Sequence, residues 1–142
     1  MVLAHGLAVR FRERFDKVVE ALNDVDDASN VYLEVLDTSP RVAVAIGEKF
    51  FFRASNYASV SVIVIEDGDS TIVKTVSSGS REKPFDLFDL GTSKDYTYLV
   101  VEDISTRLGK DFEVIAEIEY LDRSKSELLH TPLRGHQNTT RR

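Results

Sequence analysis

The chain has 142 residues, of which 42% are hydrophobic and 30% charged, and it contains no Cys. This composition predicts one folded domain and excludes a disordered chain, while the missing Cys excludes disulfide scaffolds, thiol catalysis, thiolate zinc sites and iron–sulfur clusters. The net charge of −6 is unevenly distributed along the chain: residues 1–121 contain 13 basic and 22 acidic residues, whereas residues 122–142 contain five basic and two acidic residues. The acidic charge of residues 1–121 argues against nucleic-acid binding, because it repels phosphate backbones.

The first periodic segment extends from Leu7 to Asn23. Its apolar residues follow the spacing of one helix face, and polar turn and cap residues follow between Asn23 and Asn30. We therefore predict a helix over this segment, with its buried face formed by Phe11, Phe15, Val18, Val19 and Leu22.

The period of the apolar residues changes to two after Asn30, which predicts a series of strands. The first predicted strand is 31–36, and Pro40 supplies a turn before a second strand that begins at Val42. Residues 47–49 fit either a tight turn or a bulge within a longer strand. Residues 59–66 and 71–77 are predicted as an antiparallel hairpin, because Asp67-Gly68 accommodates the positive φ of a two-residue turn.

A second helix and a last strand complete the predicted elements. Residues 85–90 fit either an extended segment or a helical turn. Gly91-Thr92-Ser93 is typical of a helix entrance, and the apolar spacing then continues to Leu108 before Gly109. Residues 111–121 alternate as a strand, in which Glu113, Glu117 and Glu119 form a stripe that predicts one solvated face.

The predicted order is α-β-β-β-β-α-β, with a further strand near Phe50 left open. This order favours an α+β two-layer sandwich, in which an antiparallel sheet of about five strands carries two helices on one face. We predict a single domain over residues 1–121. Residues 122–142 are predicted to form a polar, basic and partly disordered C-terminal tail.

The segment from Ser77 to Lys83 is the strongest candidate site in the sequence. Small hydroxyl residues around a Gly expose backbone N–H groups, two basic residues add positive charge, and the predicted helix entrance lies nearby. Together they could bind a phosphate or carboxylate, although neither a P-loop nor a dinucleotide fingerprint is present. The competing interpretation is an ordinary loop and N-cap. The candidate anion ligands are Ser78, Gly79, Ser80, Arg81, Lys83, Thr92 and Ser93.

The other chemistry-bearing residues give weaker signals. His5, His130 and His136 lie near the chain ends, far in sequence from carboxylate pairs, so we predict no catalytic residue, no metal site and no cofactor. Asp67 and Asp69 lack the remaining ligands of a calcium loop and fit a turn. The aromatic run at residues 50–53 could mark a partner surface, but core or edge packing explains it as well.

The middle of the chain resembles a family of small prokaryotic proteins that form a domain of unknown function. The likeness rests on the valine-rich segment 56–62, the loop Ser78-Gly79-Ser80, Phe88 and Gly91, and the helix 96–108. Members carry a Ser-Gly-Gly-Ser-like loop, of which this chain has lost the second Gly. The resemblance implies a bacterial or archaeal cytoplasmic protein and brings no activity with it.

Two functions from different classes fit these features. The first is a small cytoplasmic binding or interaction module, with a small acidic or apolar ligand or a homodimer formed through a sheet edge or the apolar side of a helix. The alternative is an enzyme that acts on a phosphorylated or carboxylated metabolite, with the segment 77–83 as anion clamp and Asp86, Asp89 or Asp95 as its titratable partner. No apolar run is long enough to span a membrane, and the start of the chain does not resemble a signal peptide.

Overall fold

The computed structural model describes residues 4–25, 29–51, 56–79, 87–119 and 123–130. These residues form six strands, two α-helices and a C-terminal 3-10 helix. In chain order they are β1 (Ala4–Phe11), α1 (Phe15–Asn23), β2 (Ser29–Leu36), β3 (Val42–Phe51), β4 (Asn56–Asp67), β5 (Ser70–Gly79), α2 (Leu87–Leu108), β6 (Phe112–Glu119) and the 3-10 helix (Lys125–Leu129).

The six strands pair in the order β2-β3-β4-β5-β1-β6, and every pairing is antiparallel. Both helices pack on the same face of the sheet, over β1, β4 and β5. We call this the helix face. The predicted α+β class, antiparallel sheet and pair of helices are therefore confirmed, and the six strands are close to the five that were expected.

The predicted order lacked the first strand, because residues 7–11 belong to β1 and α1 begins only at Phe15. β1 is paired on both sides, and nearly all of its residues are buried. Its sequence therefore shows no alternation between polar and apolar residues. Phe11 ends the strand and Phe15 begins the helix, both buried in one core, so the helical spacing extended across the boundary by coincidence.

The hairpin of β4 and β5 follows the prediction closely. Asp67 pairs with Ser70 across a two-residue turn, and Gly68 has a φ of 62°, in the left-handed region that favours glycine. β3 continues through residues 47–49 without a turn, and its register with β4 is regular there, so these residues form neither the turn nor the bulge that the sequence allowed. α2 begins at Leu87, so the predicted start at Gly91 is too late.

The main core lies between the helix face and the two helices. β4 contributes Val60, Val62 and Val64, whereas the residues between them point to the opposite face of the sheet. The helices contribute an apolar stripe each, and these stripes meet on the sheet. Their fully or almost fully buried members are Phe15, Val18 and Leu22 in α1 and Tyr96, Val100, Val101 and Ile104 in α2.

A smaller apolar cluster lies on the opposite face of the sheet. Leu129 of the 3-10 helix packs there against Ala8 of β1 and Ile118 of β6, while its neighbour Leu128 is 64% exposed. Buried contacts thus extend into the segment that was predicted as a tail. The domain boundary at Leu121 itself stays a prediction.

Candidate functional site

A buried histidine is the most unusual feature of the interface between α2 and the sheet. His5 lies on the helix face of β1, two residues before Leu7, and only 1% of it is exposed. Its Nδ1 lies 2.5 Å from Oγ1 of Thr97 in α2. Its Nε2 lies 2.8 Å from Oε2 of Glu117 in β6. One imidazole therefore joins three elements that are distant in sequence.

The chemistry of the partners assigns the hydrogen bonds. A carboxylate only accepts, so Nε2 of His5 carries a hydrogen and donates it to Glu117. The other ring nitrogen, Nδ1, shares a hydrogen bond with the hydroxyl of Thr97, which can donate or accept. The hydroxyl of Tyr98 donates to the other carboxylate oxygen of Glu117 at 2.7 Å, and its ring lies 5.9 Å from that of His5. We call these four residues the His5 cluster.

The His5 cluster is closed at one end and open at the other. Thr97 is fully buried, whereas the side chain of Glu117 is 29% exposed and Tyr98 is half-buried. Burial, the hydrogen bond to Glu117 and the charges of Glu117 and Glu102 raise the pKa of Tyr98 to about 12. The phenol therefore stays protonated at neutral pH. The cluster presents an oriented carboxylate and a hydroxyl to solvent, while the threonine hydroxyl is inaccessible.

A row of hydroxyl side chains continues the polar layer beneath α2. Thr75 and Ser77 of β5 are fully buried on the helix face. The Thr75 hydroxyl donates to the Thr97 carbonyl at 3.5 Å, and the Ser77 hydroxyl donates to the Ser59 carbonyl at 2.8 Å. Both of these buried hydroxyls thus have an acceptor, which offsets the cost of burying a polar group. His5 pairs with Ser77 across the sheet, so this row leads into the His5 cluster.

Of the predicted anion ligands, two lie at the end of β5 near the His5 cluster. Ser78 is exposed and pairs with Ala4, the residue before His5, and Gly79 is the last residue of β5. Ser80, Arg81 and Lys83 lie outside the described residues, as does Asp86, and the side chains of Asp89 and Asp95 are not described either. The anion hypothesis for the segment 77–83 stays a prediction.

Thr92 and Ser93 differ from the expectation in one respect, because they lie inside α2 rather than at its start. Backbone N–H groups beyond the first turn of a helix bond to carbonyls of the preceding turn. Those of Thr92 and Ser93 are therefore not the free N–H groups that a helix entrance would offer. The sequence placed the start too late because Gly91-Thr92-Ser93 imitates a capping segment.

The predicted acidic stripe of β6 is divided between the two faces of the sheet. A register shift between Ala8 and Val9 places Glu117 opposite Leu7 on the helix face and Glu113 opposite Arg10 on the other face. Strict alternation along β6 cannot reveal such a bulge. This shift is also what brings Glu117 to His5.

A second polar group lies at the β4–β5 turn. Arg10 donates to Asp67 at 2.6 Å and to Ser70 at 2.9 Å, and the side chain of Asp67 has no exposed surface. A shallow depression of about 370 Å³ adjoins it. In the described ranges no three His, Asp or Glu side chains are grouped so that they could hold a metal ion.

Sequence reasoning missed the His5 cluster. Thr97 and Glu117 lie 92 and 112 residues from His5, so no local spacing could connect them. The one available signal was a polar residue inside the β1 pattern, and β1 itself had been predicted as helix or terminus. Only the sheet order reveals that β1 and β6 are neighbours.

The comparisons with known proteins concern the fold and the family. A family model described as "Family of unknown function (DUF6054)" matches residues 7–107, a range that includes Thr97 and Tyr98 but not His5 or Glu117. The chain is similar to the crystal structure of TTHA0849 from Thermus thermophilus, with 9% identity, a TM-score of 0.40, and coverage of 74% of this chain and 96% of that one. A search of curated proteins gave no match. Among the described residues, no helix is both long and apolar enough to cross a membrane.

Proposed function

We propose that this chain, which belongs to the DUF6054 family of unknown function, is a small binding module whose ligand contacts Glu117 and Tyr98. Membership agrees with the resemblance that the sequence suggested. The observation that supports the proposal is the contact between buried His5 and Glu117, because it fixes a carboxylate that remains open to solvent. Polar side chains held by buried partners are typical of binding sites.

The charge around the cluster favours a cationic group on the ligand. Glu117 accepts from His5 and Tyr98, and a carboxylate oxygen can accept more than one hydrogen bond. Glu102 and Glu119 are exposed close by, on α2 and β6. An ammonium or guanidinium group would gain a charge-assisted hydrogen bond there and would be attracted by the surrounding field.

The same geometry favours binding over catalysis. Both nitrogens of His5 are engaged and the ring is buried, so no substrate proton could reach it. Thr97 is buried as well, and the raised pKa of Tyr98 keeps its phenol protonated, so neither is placed to act as a nucleophile. The solvent-accessible group of the cluster is the oriented carboxylate of Glu117, which can bind a ligand as a hydrogen-bond acceptor.

The test compares two probes of equal size and opposite charge, butylammonium and butyrate. We expect butylammonium to raise the midpoint of thermal unfolding and to shift the NMR signals of Tyr98, with a stabilisation of about 2.7 kcal/mol at a hundredfold excess over the Kd. Glu117→Gln keeps the size of the side chain and removes its charge, so this stabilisation should be lost. Glu113→Gln is the matched control, since Glu113 lies on the same strand but on the other face.

Any of three results would overturn the proposal. One is the absence of any shift with butylammonium in the wild-type chain. Another is a response to butyrate or phosphate that disappears in Arg81→Ala, since this would place an acidic ligand at the segment 77–83, as the sequence first suggested. The third is an equal loss of the stabilisation in Glu117→Gln and Glu113→Gln, which would mean that Glu117 is not the contact.

A further inference from the structure

The outer edge of β2 is the most apolar exposed strand edge of the described chain. β2 is the last strand of the sheet on its side, so its outer backbone groups have no neighbour among the described residues. Four of its large apolar side chains are exposed. They are Val31 (63%), Tyr32 (46%), Val35 (46%) and Leu36 (38%).

The position of the helices explains why β2 is uncovered. α1 and α2 pack on β1, β4 and β5, so the helix face of β2 extends beyond them. Of its residues, Leu33 reaches the periphery of the main core and is half-buried. Unpaired backbone groups combined with exposed apolar side chains are a template for adding another strand.

The opposite edge of the sheet, formed by β6, differs from β2 because it carries several charged side chains. β6 carries exposed Glu113, Glu117 and Glu119 along its length. Charged side chains are a common device that prevents a sheet edge from pairing with another chain. β2 carries a single charged residue, Glu34, among the side chains that the structure describes.

We propose that β2 pairs with β2 of a second copy of this chain, antiparallel and with Leu33 opposite the partner's Leu33. The two sheets would then form one continuous sheet of twelve strands, twice the six of one chain, around a two-fold axis that is perpendicular to it. This interface is independent of the ligand site at Glu117, which lies at the other end of the sheet.

The pattern of side chains in β2 selects this register. A two-fold axis perpendicular to the sheet keeps both helix layers on the same side, and opposite residues then share a face. Centring on Leu33 places the two Leu33 side chains opposite each other and Tyr32 opposite the partner's Glu34, within the part of β2 that follows the bulge at Val31. In this register Leu33 packs against an apolar residue, Tyr32 lies opposite a hydrogen-bond acceptor, and no carboxylate lies opposite another carboxylate.

Within one chain, the Tyr32 hydroxyl already donates to Glu34, and this hydrogen bond raises the pKa of the phenol. In the proposed register the partner's Glu34 lies directly across from Tyr32, so the same donor and acceptor can exchange between chains. Centring on Glu34 would instead place two carboxylates opposite each other, which is unfavourable. The strand is therefore complementary to itself in one register and not in the next.

The first test measures the mass in solution by light scattering during size-exclusion chromatography. We expect the wild-type chain to elute at twice the chain mass, and Val35→Lys to elute at the mass of one chain. Val114→Lys is the matched control, because Val114 is a valine on the other edge strand with the same exposure, 45% against 46%. It should leave the dimer intact.

The second test addresses the register. Residues directly opposite in antiparallel strands have Cα atoms about 4.5–5.5 Å apart, which lies within the range that a disulfide bridges. Since the chain has no Cys, Leu33→Cys should give a covalent dimer on mild oxidation, and Val114→Cys, the control for random collisions, should not. A wild-type monomer at all concentrations, a dimer that survives Val35→Lys, or a cross-link at 114 but not at 33 would each overturn the proposal.

Discussion

At the scale of single residues, the buried ion pair of Arg10 and Asp67 leads to a specific prediction about the free energy of unfolding. Asp67 is fully buried and Arg10 is 10% exposed. Removing one partner leaves a buried charge without compensation, which typically costs about 3–5 kcal/mol. We therefore expect Asp67→Ala to lower the free energy of unfolding by about that amount, as measured by urea denaturation.

The same turn provides the control for this prediction. Asp69 is exposed and lies two residues away, so Asp69→Ala should change the free energy of unfolding by no more than about 0.5 kcal/mol. The two variants remove the same side chain from the same hairpin. If they destabilise the protein equally, the effect belongs to the turn and the buried ion pair is not its cause.

At the scale of elements, sequence patterns predicted the elements that have a local signal, and they failed for features that depend on tertiary contacts. The β4–β5 hairpin was predictable because Asp67-Gly68 is typical of a tight turn, formed here by Gly68 and Asp69, and because Val60, Val62 and Val64 alternate with residues of the other face. β1 was not, because a strand buried on both faces shows no alternation. The His5 cluster required the sheet order and the β6 bulge, neither of which has a local signature. The candidate anion segment 77–83 was predicted from its composition alone, and composition does not identify a ligand.

The 3-10 helix offers a direct comparison of two adjacent leucines. Leu129 is 5% exposed and packs on Ala8 and Ile118, whereas Leu128 is 64% exposed. Leu129→Ala should lower the free energy of unfolding by about 2 kcal/mol, at the low end for a buried leucine because the cluster is small. Leu128→Ala should have almost no effect in the same denaturation experiment. Equal effects would mean that the 3-10 helix does not hold its place on the sheet through Leu129.

At the scale of the whole molecule, ion pairs connect α1 to the sheet and connect the segments that flank the two helices. Arg41, just before β3, lies 2.9 Å from Asp16 of α1 and 3.0 Å from Glu66 of β4, and its guanidinium stacks 4.7 Å above the ring of Phe15. Lys110, after α2, lies 3.2 Å from Glu13, which precedes α1. These contacts connect segments that meet only in the folded chain, so they make folding dependent on pH.

The direction of that dependence follows from Glu66. Hydrogen bonds from Arg41 lower the pKa of its carboxyl below the ordinary 4.5. A carboxyl with a lowered pKa stabilises the fold above its unfolded pKa, and this contribution disappears as the pH falls through the folded value. Glu66→Gln should therefore be less stable than wild type at neutral pH, and the difference should vanish progressively below about pH 4.5.

Denaturation at a series of pH values measures this difference in stability. The control is Glu20→Gln, which replaces an exposed carboxyl of α1 and should show no such convergence. A difference that stays constant or widens in acid would contradict the role of Arg41, because it would mean that the ionised form of Glu66 does not contribute to folding.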